Sequence, residues 1–280
     1  MIDGVLVIDK PGGITSHDVV ARVRKLLGTR KVGHLGTLDA AATGVLPIVV
    51  GKATRLSRYL PASPKEYQGR IRLGWETTTG DGEGTALEER AVEVTRNEIL
   101  EAMASLTGRI EQVPPVWSAK KVGGVASHRL ARAGRPVALR PITVEVTRFE
   151  LVAFDSPAIA FRVVCSGGTY VRSLARDLGR KLETGAHLEV LRRTRCGVFR
   201  IGDALPPEDV SAGDLIPPEV LMRGMPSLIV DEESENRVRH GQQVLCPGDA
   251  SPLCIFNKNG ELIAIARAEK GWAHPEVVLP

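Results

Sequence analysis

The apolar residues of this 280-residue chain occur in short runs that end at glycine or proline. This pattern limits the folds that the chain can adopt. Residues 4–10 form one such run before Pro11, residues 44–50 form a second, and apolar residues alternate with polar ones over residues 67–73. These patterns predict two buried strands and one half-buried strand. No run reaches the roughly 18 apolar residues of a membrane span. Because strands and helices mix without a steady βαβ rhythm, we expect an α+β fold.

Capping signals predict where several helices begin and end. Thr15 or Ser16 is the expected N-cap of a helix that ends at Gly28, and Thr95 with Glu98 forms the capping box of another that runs through Leu106. Further helices are expected at residues 127–133 and 170–182, strands at 142–154 and 158–165, and a loop at 29–43. A change in composition near residue 225 predicts a small, β-rich tail.

The charge is distributed unevenly along the chain. The net charge is +4 at pH 7, but residues 225–280 carry eight acidic and five basic residues, so the remainder has a net charge of +7. Residues 109–140 hold seven Lys and Arg against Glu111 alone. A local basic excess favours binding to a polyanion such as RNA, because each neutralised phosphate releases a counterion. A solvated basic face is the alternative, and charge alone does not decide between them.

Signatures of several other chemistries are missing from the sequence. Gly51-Lys52 is followed by Ala53, where a phosphate-binding loop needs Ser or Thr. The six histidines form no His-x-x-x-His pair and the four cysteines no Cys-x-x-Cys pair. We therefore expect no metal site and no disulfide scaffold. The acidic start of the chain lacks the basic region of a secretory signal, which favours a reduced, cytoplasmic protein.

One loop has the composition of a catalytic segment. Residues 33–39, Gly-His-Leu-Gly-Thr-Leu-Asp, place the carboxylate of Asp39 shortly before the apolar run at residues 44–50. Catalytic groups concentrate on loops held by rigid elements, and a carboxylate can act as a covalent nucleophile. The residue types alone nevertheless favour the alternative that Asp39 is a turn or capping acid.

A series of ordered motifs relates the chain to a known family. In chain order they are Lys10-Pro-Gly-Gly-Ile-Thr-Ser16, Gly33-His-Leu-Gly-Thr-Leu-Asp39, Ala42-Thr-Gly-Val-Leu-Pro47, Lys65-Glu-Tyr67, Leu73-Gly74, Thr79-Gly-Asp-Gly-Glu-Gly84, Gln112-Val-Pro-Pro115, Ser118-Ala-Lys-Lys121, Cys165-Ser-Gly-Gly-Thr-Tyr-Val-Arg172 and Leu188-Glu-Val-Leu-Arg-Arg-Thr-Arg-Cys-Gly197. With these motifs, residues 4 to about 225 resemble the TruB family of tRNA pseudouridine synthases. The resemblance replaces the interpretation of Asp39 as a turn residue with that of a catalytic aspartate.

The resemblance implies three catalytic residues. Asp39 would attack the target nucleotide, so that the uracil detaches, turns and rejoins the ribose through carbon; attack at uracil C6 and at ribose C1′ both remain open. Arg172 matches the arginine that pairs with this aspartate, and we expect it to lower the pKa of Asp39. Tyr67 matches the tyrosine that stacks on the flipped uracil, with its hydroxyl placed for proton transfer at C5. An isomerisation of this kind needs no cofactor.

The resemblance also implies a set of RNA-binding residues. Lys10, His34, Tyr170 and Leu191 match residues beside the pocket, although Leu191 also fits a simple core position. Residues 113–136 match an inserted thumb that closes over an RNA stem-loop. Its candidate phosphate contacts are Lys120, Lys121, Arg129 and Arg132. The implied substrate is uridine 55 in the T arm of tRNA, whose base has to be extruded before it can react.

The resemblance implies two domains and a pseudouridine synthase fold with a mixed, largely antiparallel central sheet. Residues 1–225 would form the catalytic domain with its inserted thumb, and residues 226–280 resemble a short, PUA-like RNA-binding module. We expect a monomer without membrane contacts, since no extended apolar stripe is left unassigned. The sequence departs from the family pattern at five positions, none of them catalytic: Leu35, Ala40, Trp117, His128 and Gly167.

Two other functions compete with this interpretation. The first is a non-catalytic RNA chaperone that binds and folds tRNA; the intact set of Asp39, Tyr67 and Arg172 argues against it, since a pure binder has no need of a buried ion pair in its pocket. The second is a synthase that acts on ribosomal or messenger RNA. The thumb favours a stem-loop such as the T arm over these substrates.

Overall fold

A nine-stranded sheet forms the centre of the molecule in the computed structural model, which describes residues 2–118, 120–135 and 137–279. Its strands are β1 (Gly4–Lys10), β2 (Val32–His34), β3 (Thr43–Val50), β4 (Lys65–Leu73), β7 (Gly108–Gln112), β10 (Ile142–Asp155), β11 (Ala158–Cys165), β12 (Ala186–Cys196) and β13 (Phe199–Arg200). The main order is β1-β3-β12-β4-β11-β10-β7, with β2 beside β3 and β13 beside β12. All pairings are antiparallel except β3 with β12, which confirms the expected mixed, largely antiparallel sheet.

Two small hairpins and a second sheet contain the other strands. The hairpins pair β5 (Trp75–Thr77) with β6 (Ala86–Glu89) and β8 (Lys121–Val122) with β9 (Val125–Ala126). The second sheet has the order β14-β16-β17-β18-β15, in which β14 is Ser227–Ile229, β15 Val244–Leu245, β16 Ala250–Phe256, β17 Leu262–Glu269 and β18 Trp272–Val278. The tail is therefore β-rich, as its turn residues predict.

The α-helices are α1 (Ser16–Leu27), α2 (Arg96–Ser105), α3 (Ser127–Arg132), α4 (Val171–Lys181), α5 (Pro218–Leu221) and α6 (Glu232–Arg239). Two of them, α1 and α2, begin where their capping residues predict. Thr15 and Thr95 close capping boxes at α1 and α2, and Gly28 ends α1 in the left-handed conformation, with φ 62°. Within the described residues, no helix is long and apolar enough to cross a membrane.

Both faces of the central sheet are covered, as alternate residues of β1 illustrate. Leu6 and Ile8 belong to a core cluster shared with helices α1, α2 and α4. Val5 and Val7 face the opposite way, into a cluster that includes Cys254, Leu262 and Ile265 of the second sheet. The second sheet is therefore packed against the back of the central one.

The prediction of an uninterrupted loop at residues 29–43 is wrong, because β2 lies within it. Residues 32–34 pair with residues 48–50 of β3, while β12 pairs with Thr43 and Gly44 farther along the same strand. The three-residue strand Val-Gly-His is too short to produce a periodic pattern, and its pairing with β3 is a tertiary feature. Its position matters, because it fixes where the segment containing Asp39 begins.

Candidate active site

The loop that carries Asp39 connects β2 to β3 and is held mainly through its backbone. The Ser16 hydroxyl both donates to the Leu38 carbonyl and accepts from the Leu38 amide, each at 2.9 Å. The Lys10 ammonium donates to the Ala40 carbonyl at 3.0 Å, and to the carbonyls of Pro11 and Ile14. Since buried polar groups require partners, these contacts favour one loop conformation over others.

A second anchor of this loop comes from the fully buried Arg193 of β12. Its Nη2 donates to the Gly36 carbonyl at 3.0 Å and its Nε to the Val45 carbonyl at 2.7 Å. The backbone of Arg193 also runs so close to Gly44 that a Cβ on Gly44 would lie 2.2 Å from the Arg193 carbonyl oxygen. Both ends of the loop are thus fixed against β12.

Arg172, in the first turn of α4, forms an ion pair with Asp39. Its Nε lies 3.0 Å from one carboxylate oxygen of Asp39 and its Nη2 lies 3.2 Å from the other. The guanidinium also donates to the carbonyls of Thr79 and Trp117, both at 2.9 Å. Arg172 is only 7% exposed, so the side chain is fixed by the loop, the turn after β5 and the base of the thumb together.

Asp81 supplies a second carboxylate that the sequence analysis did not single out. Its Oδ2 lies 3.4 Å from Arg172 Nη1, and its side chain is 13% exposed. Hydrogen bonds from the Gly82 amide to the Leu188 carbonyl and from the Leu188 amide to the Gly80 carbonyl dock this turn onto β12. Asp81 lies in a Gly- and Thr-rich turn, where an aspartate is ordinary, so its residue type gave no signal of a role.

The pKa of Asp39 is raised from its ordinary value, contrary to our expectation that the ion pair would lower it. Partial burial is the main cause, and the nearby charge of Asp81 acts in the same direction. Arg172 does lower the pKa, by its charge and its hydrogen bond, but does not cancel the effect of burial. A carboxylate of raised pKa is more basic when ionised, which suits a nucleophile.

Asp39, Arg172 and Leu191 separate two cavities. The first, of about 280 Å³, is the tyrosine cavity, lined by Gly36, Thr37, Leu38, Lys65, Tyr67, Ser118, Gly168, Thr169, Tyr170 and Val171 in addition to those three residues. The second, of about 370 Å³, is the acidic cavity, lined by Ala41, Ala42, Asp81, Gly82, Glu83, Leu188 and Glu189 as well as the same three. The nucleophile candidate is thus accessible from both sides.

The tyrosine cavity contains the predicted aromatic residues. Tyr67 lies on β4 and is 6% exposed; burial raises the pKa of its hydroxyl to about 12, so the phenol stays protonated at neutral pH. Tyr170 precedes α4, where its amide donates to the side chain of Gln112 at 2.8 Å. The Ser118 hydroxyl is buried at the same cavity without a hydrogen-bond partner in the described parts of the chain. A ligand in this cavity would find both an aromatic wall and an unused polar atom.

Two predicted pocket residues lie outside both cavity linings. Lys10 uses its ammonium group on three carbonyls, and burial lowers its pKa to about 8. His34 is packed against His17, with ring centroids 5.7 Å apart, and burial together with nearby positive charges lowers its pKa to about 4. Lys10 is therefore placed to shape the Asp39 loop and His34 to fill the space behind it.

The thumb projects its cations into solvent. Its described residues contain the β8–β9 hairpin and α3, while Ala119 and Pro136 of the predicted segment 113–136 lie outside the described residues. The four candidate phosphate contacts, Lys120, Lys121, Arg129 and Arg132, are exposed, and none has an ion pair within the described ranges. His128 instead contacts the Ser118 carbonyl at 3.0 Å and packs within the thumb.

No group of three or more His, Cys, Asp or Glu arranged to hold a metal ion occurs in the described residues.

Two further candidate residues were missed by the sequence analysis: Lys65 at the tyrosine cavity and Arg193 beneath it. Arg193 belongs to a run of basic residues that resembles a solvated surface strand, so burial was not expected. Lys65 was part of a motif but had no assigned role.

Comparisons with known proteins agree with this geometry. A family model described as TruB family pseudouridylate synthase (N terminal domain) matches residues 24–171, and one described as tRNA pseudouridylate synthase B C-terminal domain matches residues 172–215. The second match ends before the β-rich tail. The catalytic candidates Asp39 and Tyr67 fall in the first match and Arg172 begins the second.

Relatives and solved structures cover nearly the whole chain. A tRNA pseudouridine synthase B from Thermobifida fusca is 45% identical over 289 aligned residues, covering 99% of each chain. Another, from Solibacter usitatus, is 41% identical and covers 99% of this chain and all of the relative. A chain in the crystal structure of a Cbf5-Nop10-Gar1 complex superimposes with a TM-score of 0.75 at 28% identity, over 99% of this chain and 85% of that one. With this sheet, this loop and these matches, the chain belongs to the TruB family of pseudouridylate synthases.

Proposed function

We propose that this protein converts uridine 55 in the T arm of tRNA to pseudouridine, with Asp39 as the nucleophile. The observation that carries the proposal is the ion pair between Asp39 and the buried Arg172 at the edge of a cavity walled by Tyr67. The curated relatives named tRNA pseudouridine synthase B support tRNA as the substrate. The thumb, residues 113–136, supports a stem-loop as the part of the RNA that is bound.

The tyrosine cavity is the better of the two for the flipped uridine. It offers Tyr67 for stacking and a cation, Lys65, whereas the acidic cavity adds Asp81, Glu83 and Glu189. Carboxylates repel the phosphates that accompany a nucleotide. A volume of about 280 Å³ falls near the lower end of ordinary ligand pockets and suits one extruded nucleoside.

In the proposed reaction each site residue has one task. Arg172 holds the Asp39 carboxylate in place and keeps part of its charge neutralised, so that the anion can exist in a partly buried site. Tyr67 stacks on the extruded base, and its protonated hydroxyl is available to relay the C5 proton. Leu191 touches both cavities and packs against the base from the side of the ion pair.

The thumb and the tail complete the proposed RNA-binding surface. We propose that Lys120, Lys121, Arg129 and Arg132 bind phosphates of the stem-loop, and that residues 226–280 form a small PUA-like module with a boundary near residue 225. A monomer fits the described surface, where large exposed apolar side chains such as Ile229 and Leu245 lie on opposite edge strands of the second sheet.

The first experiment is tritium release from C5-labelled uridine in an unmodified tRNA transcript, with the wild type and Asp39→Asn. We expect release only from the wild type, and retained tRNA binding by the variant, since the substitution keeps the shape of the side chain and removes its nucleophilic charge. Binding by the wild type without release would favour the chaperone interpretation. Loss of both binding and release in the variant would assign Asp39 a folding role.

A further inference from the structure

Lys65 is a cation in the lining of the tyrosine cavity, and it forms no ion pair with any residue that the structure describes. It lies two residues before Tyr67 on β4, so both side chains project from the same face, and both line the cavity. Its cross-strand neighbours are Cys165 on β11 and Cys196 on β12, neither of which carries a charge as a thiol. The carboxylates of Asp39 and Asp81 are both engaged by Arg172 instead.

Arg193 adds a second positive charge beneath Lys65. Arg193 is fully buried, and its Nη1 has no hydrogen-bond partner in the described residues, although its Nε and Nη2 each donate one hydrogen bond. A Cβ built on Gly36 would lie 2.5 Å from Lys65 Nζ and 3.6 Å from Arg193 Nη1, so the two cations flank the same point. The φ of Gly36, +82°, favours glycine there.

The charges of this pair shift the pKa values of neighbouring groups. Burial and the adjacent Arg193 both lower the pKa of Lys65, and the charges of Lys65 and Arg193 contribute to the low pKa of His34. Unpaired buried charges destabilise a fold unless a partner compensates them. The cavity has one cation, Lys65, in its lining and a second, Arg193, buried behind the lining, so it is prepared for negative charge that arrives with the substrate.

We propose that Lys65 is a further catalytic residue, whose ammonium stabilises the negative charge on the detached uracil; this rests on the function proposed above. As the N1–C1′ bond breaks, its electron pair leaves on the uracil and spreads onto the carbonyl oxygens. If Asp39 attacks C1′, a carboxylate oxygen forms the new bond there. C5 later displaces that oxygen, the C5 proton leaves and N1 takes up a proton. If Asp39 adds to C6 instead, the electron pair of the C5–C6 double bond moves into the ring, which carries the negative charge from that step onward. The N1–C1′ bond then breaks, C5 bonds to C1′, N1 takes up a proton, and loss of the C5 proton expels the Asp39 carboxylate from C6.

The position of Lys65 assigns it to the base rather than to a phosphate. Lys65 and Tyr67 share one face of β4, and Tyr67 is the residue that the base stacks on in the proposed function. Asp39, which attacks the nucleotide, also lines the acidic cavity, and 44% of its side chain is exposed. Arg193 does not line the cavity and acts as a positioning residue through Gly36 and the field it adds.

The test compares Lys65→Met, Lys65→Arg and a matched control, Lys181→Met, at the exposed end of α4. With the full-length protein in excess over an RNA stem-loop, single-turnover tritium release should fall about 10²-fold in Lys65→Met, the usual cost of one electrostatic contact in a transition state. The affinity for the stem-loop should change less than about threefold. Lys65→Arg should recover most of the rate, and Lys181→Met should match the wild type.

A stem-loop with 5-fluorouridine at the target position separates the base from the phosphate. Fluorine withdraws electrons and stabilises the detached uracil anion by itself. C5 then bonds to C1′ but has no proton to lose, so the carbon-linked product keeps the fluorine and adds water across C6 and N1. Lys65→Met should slow formation of this product much less than it slows tritium release from uridine. Equal slowing with both bases would overturn the proposal. The proposal would also be overturned if Lys65→Met bound both the uridine RNA and an RNA with an abasic target nucleotide more weakly while the rate of tritium release stayed unchanged. That result would make Lys65 a phosphate contact.

The outcomes also separate this inference from the proposed function. Absence of tritium release from the wild type would contradict the function itself. Release by the wild type and by Lys65→Met at the same rate would contradict only the role of Lys65. Thermal unfolding of each variant shows whether a lost rate reflects a lost fold, and retained RNA affinity gives the same control independently.

Discussion

At the scale of single residues, the site depends on groups whose protonation is shifted by burial. Asp39 has a raised pKa, Lys65 and Lys10 have lowered ones, and Tyr67 stays a neutral phenol. Each shift disfavours the charged form of the group relative to its neutral form in the protein without substrate. The substrate therefore enters a site whose charges are only partly compensated, and such sites respond strongly to charge that develops during a reaction.

His34 makes the folded state sensitive to acid. The unfolded chain takes up a proton at His34 near its ordinary pKa of 6.5, whereas burial and the charges of His17, Arg193 and Lys65 lower the pKa in the folded state to about 4. Between these values the unfolded state binds more protons, so stability falls as the pH falls. We expect His34→Gln to flatten this loss, measured as urea midpoints from pH 7 to pH 4.5.

The exposed His240 provides the control for this measurement. His240→Gln should follow the wild type across the whole pH range, since the side chain lies on the surface. If His34→Gln also follows the wild type, the acid sensitivity belongs to other groups and the low pKa of His34 is wrong.

At the scale of elements, the thumb contributes positive charge for RNA binding, and the loop between β2 and β3 positions the Asp39 carboxylate. Lys120 and Lys121 are exposed at the first strand of the β8–β9 hairpin, away from the cavity lining. Replacing both with Gln should weaken RNA binding and reduce the slope of log Kd against log salt concentration by about one to two. The reason is that one counterion fewer is released on binding for each phosphate contact that is lost. Filter binding from 50 to 300 mM salt measures this slope.

The rate at saturating enzyme should hardly change in this double variant, since the thumb cations do not touch the reacting atoms. A Lys181→Gln variant, altered on α4 outside the thumb, should keep the wild-type slope. A slope that is unchanged in the double variant would mean that these two lysines do not contact phosphate.

Local signals were enough to predict four helices, α1 to α4, and five strands of the central sheet. The capping boxes at Thr15 and Thr95, the glycine that ends α1 and the alternation in β4 each depend on residues close in sequence. Strand β12 was not predicted, since its arginines resemble a surface segment. Its burial follows from pairing with β3 and β4, which are distant in sequence.

The candidate site was predictable only where a motif carried it. Asp39, Tyr67 and Arg172 came from motif resemblance, and the structure brings all three to one cavity. Asp81 and the buried Arg193 were missed because their significance lies in which groups they contact. Both contacts join segments about a hundred or more residues apart along the chain, and no local pattern records them.

At the scale of the whole molecule, the second sheet contributes to the core of the first. Val5 and Val7 of β1 share a buried cluster with Cys254, Leu262 and Ile265. Removing residues 226–280 would expose this face, with each apolar side chain costing about 1.5–3 kcal/mol. The summed loss is comparable with the entire stability of a typical domain.

We therefore expect the intact chain to unfold in one transition and the chain lacking residues 226–280 to show no cooperative unfolding. Urea denaturation followed by circular dichroism measures both. Two well-separated transitions in the intact chain, or a truncated chain with an unchanged midpoint, would mean that the two sheets are stable independently. Either result would mean that the proposed boundary near residue 225 separates two domains that fold independently.

The anchors of the Asp39 loop have a practical consequence for experiments on this protein. Lys10, Ser16 and Arg193 all lie outside the loop and form hydrogen bonds with its main-chain atoms, including the carbonyl of Ala40. The shape of the loop is thus encoded elsewhere, and its outward side chains are free to differ. Thr37 borders one cavity and Ala41 the other. A fluorescent or spin label at either position would report on occupancy of its own cavity while the nucleophile stays in place.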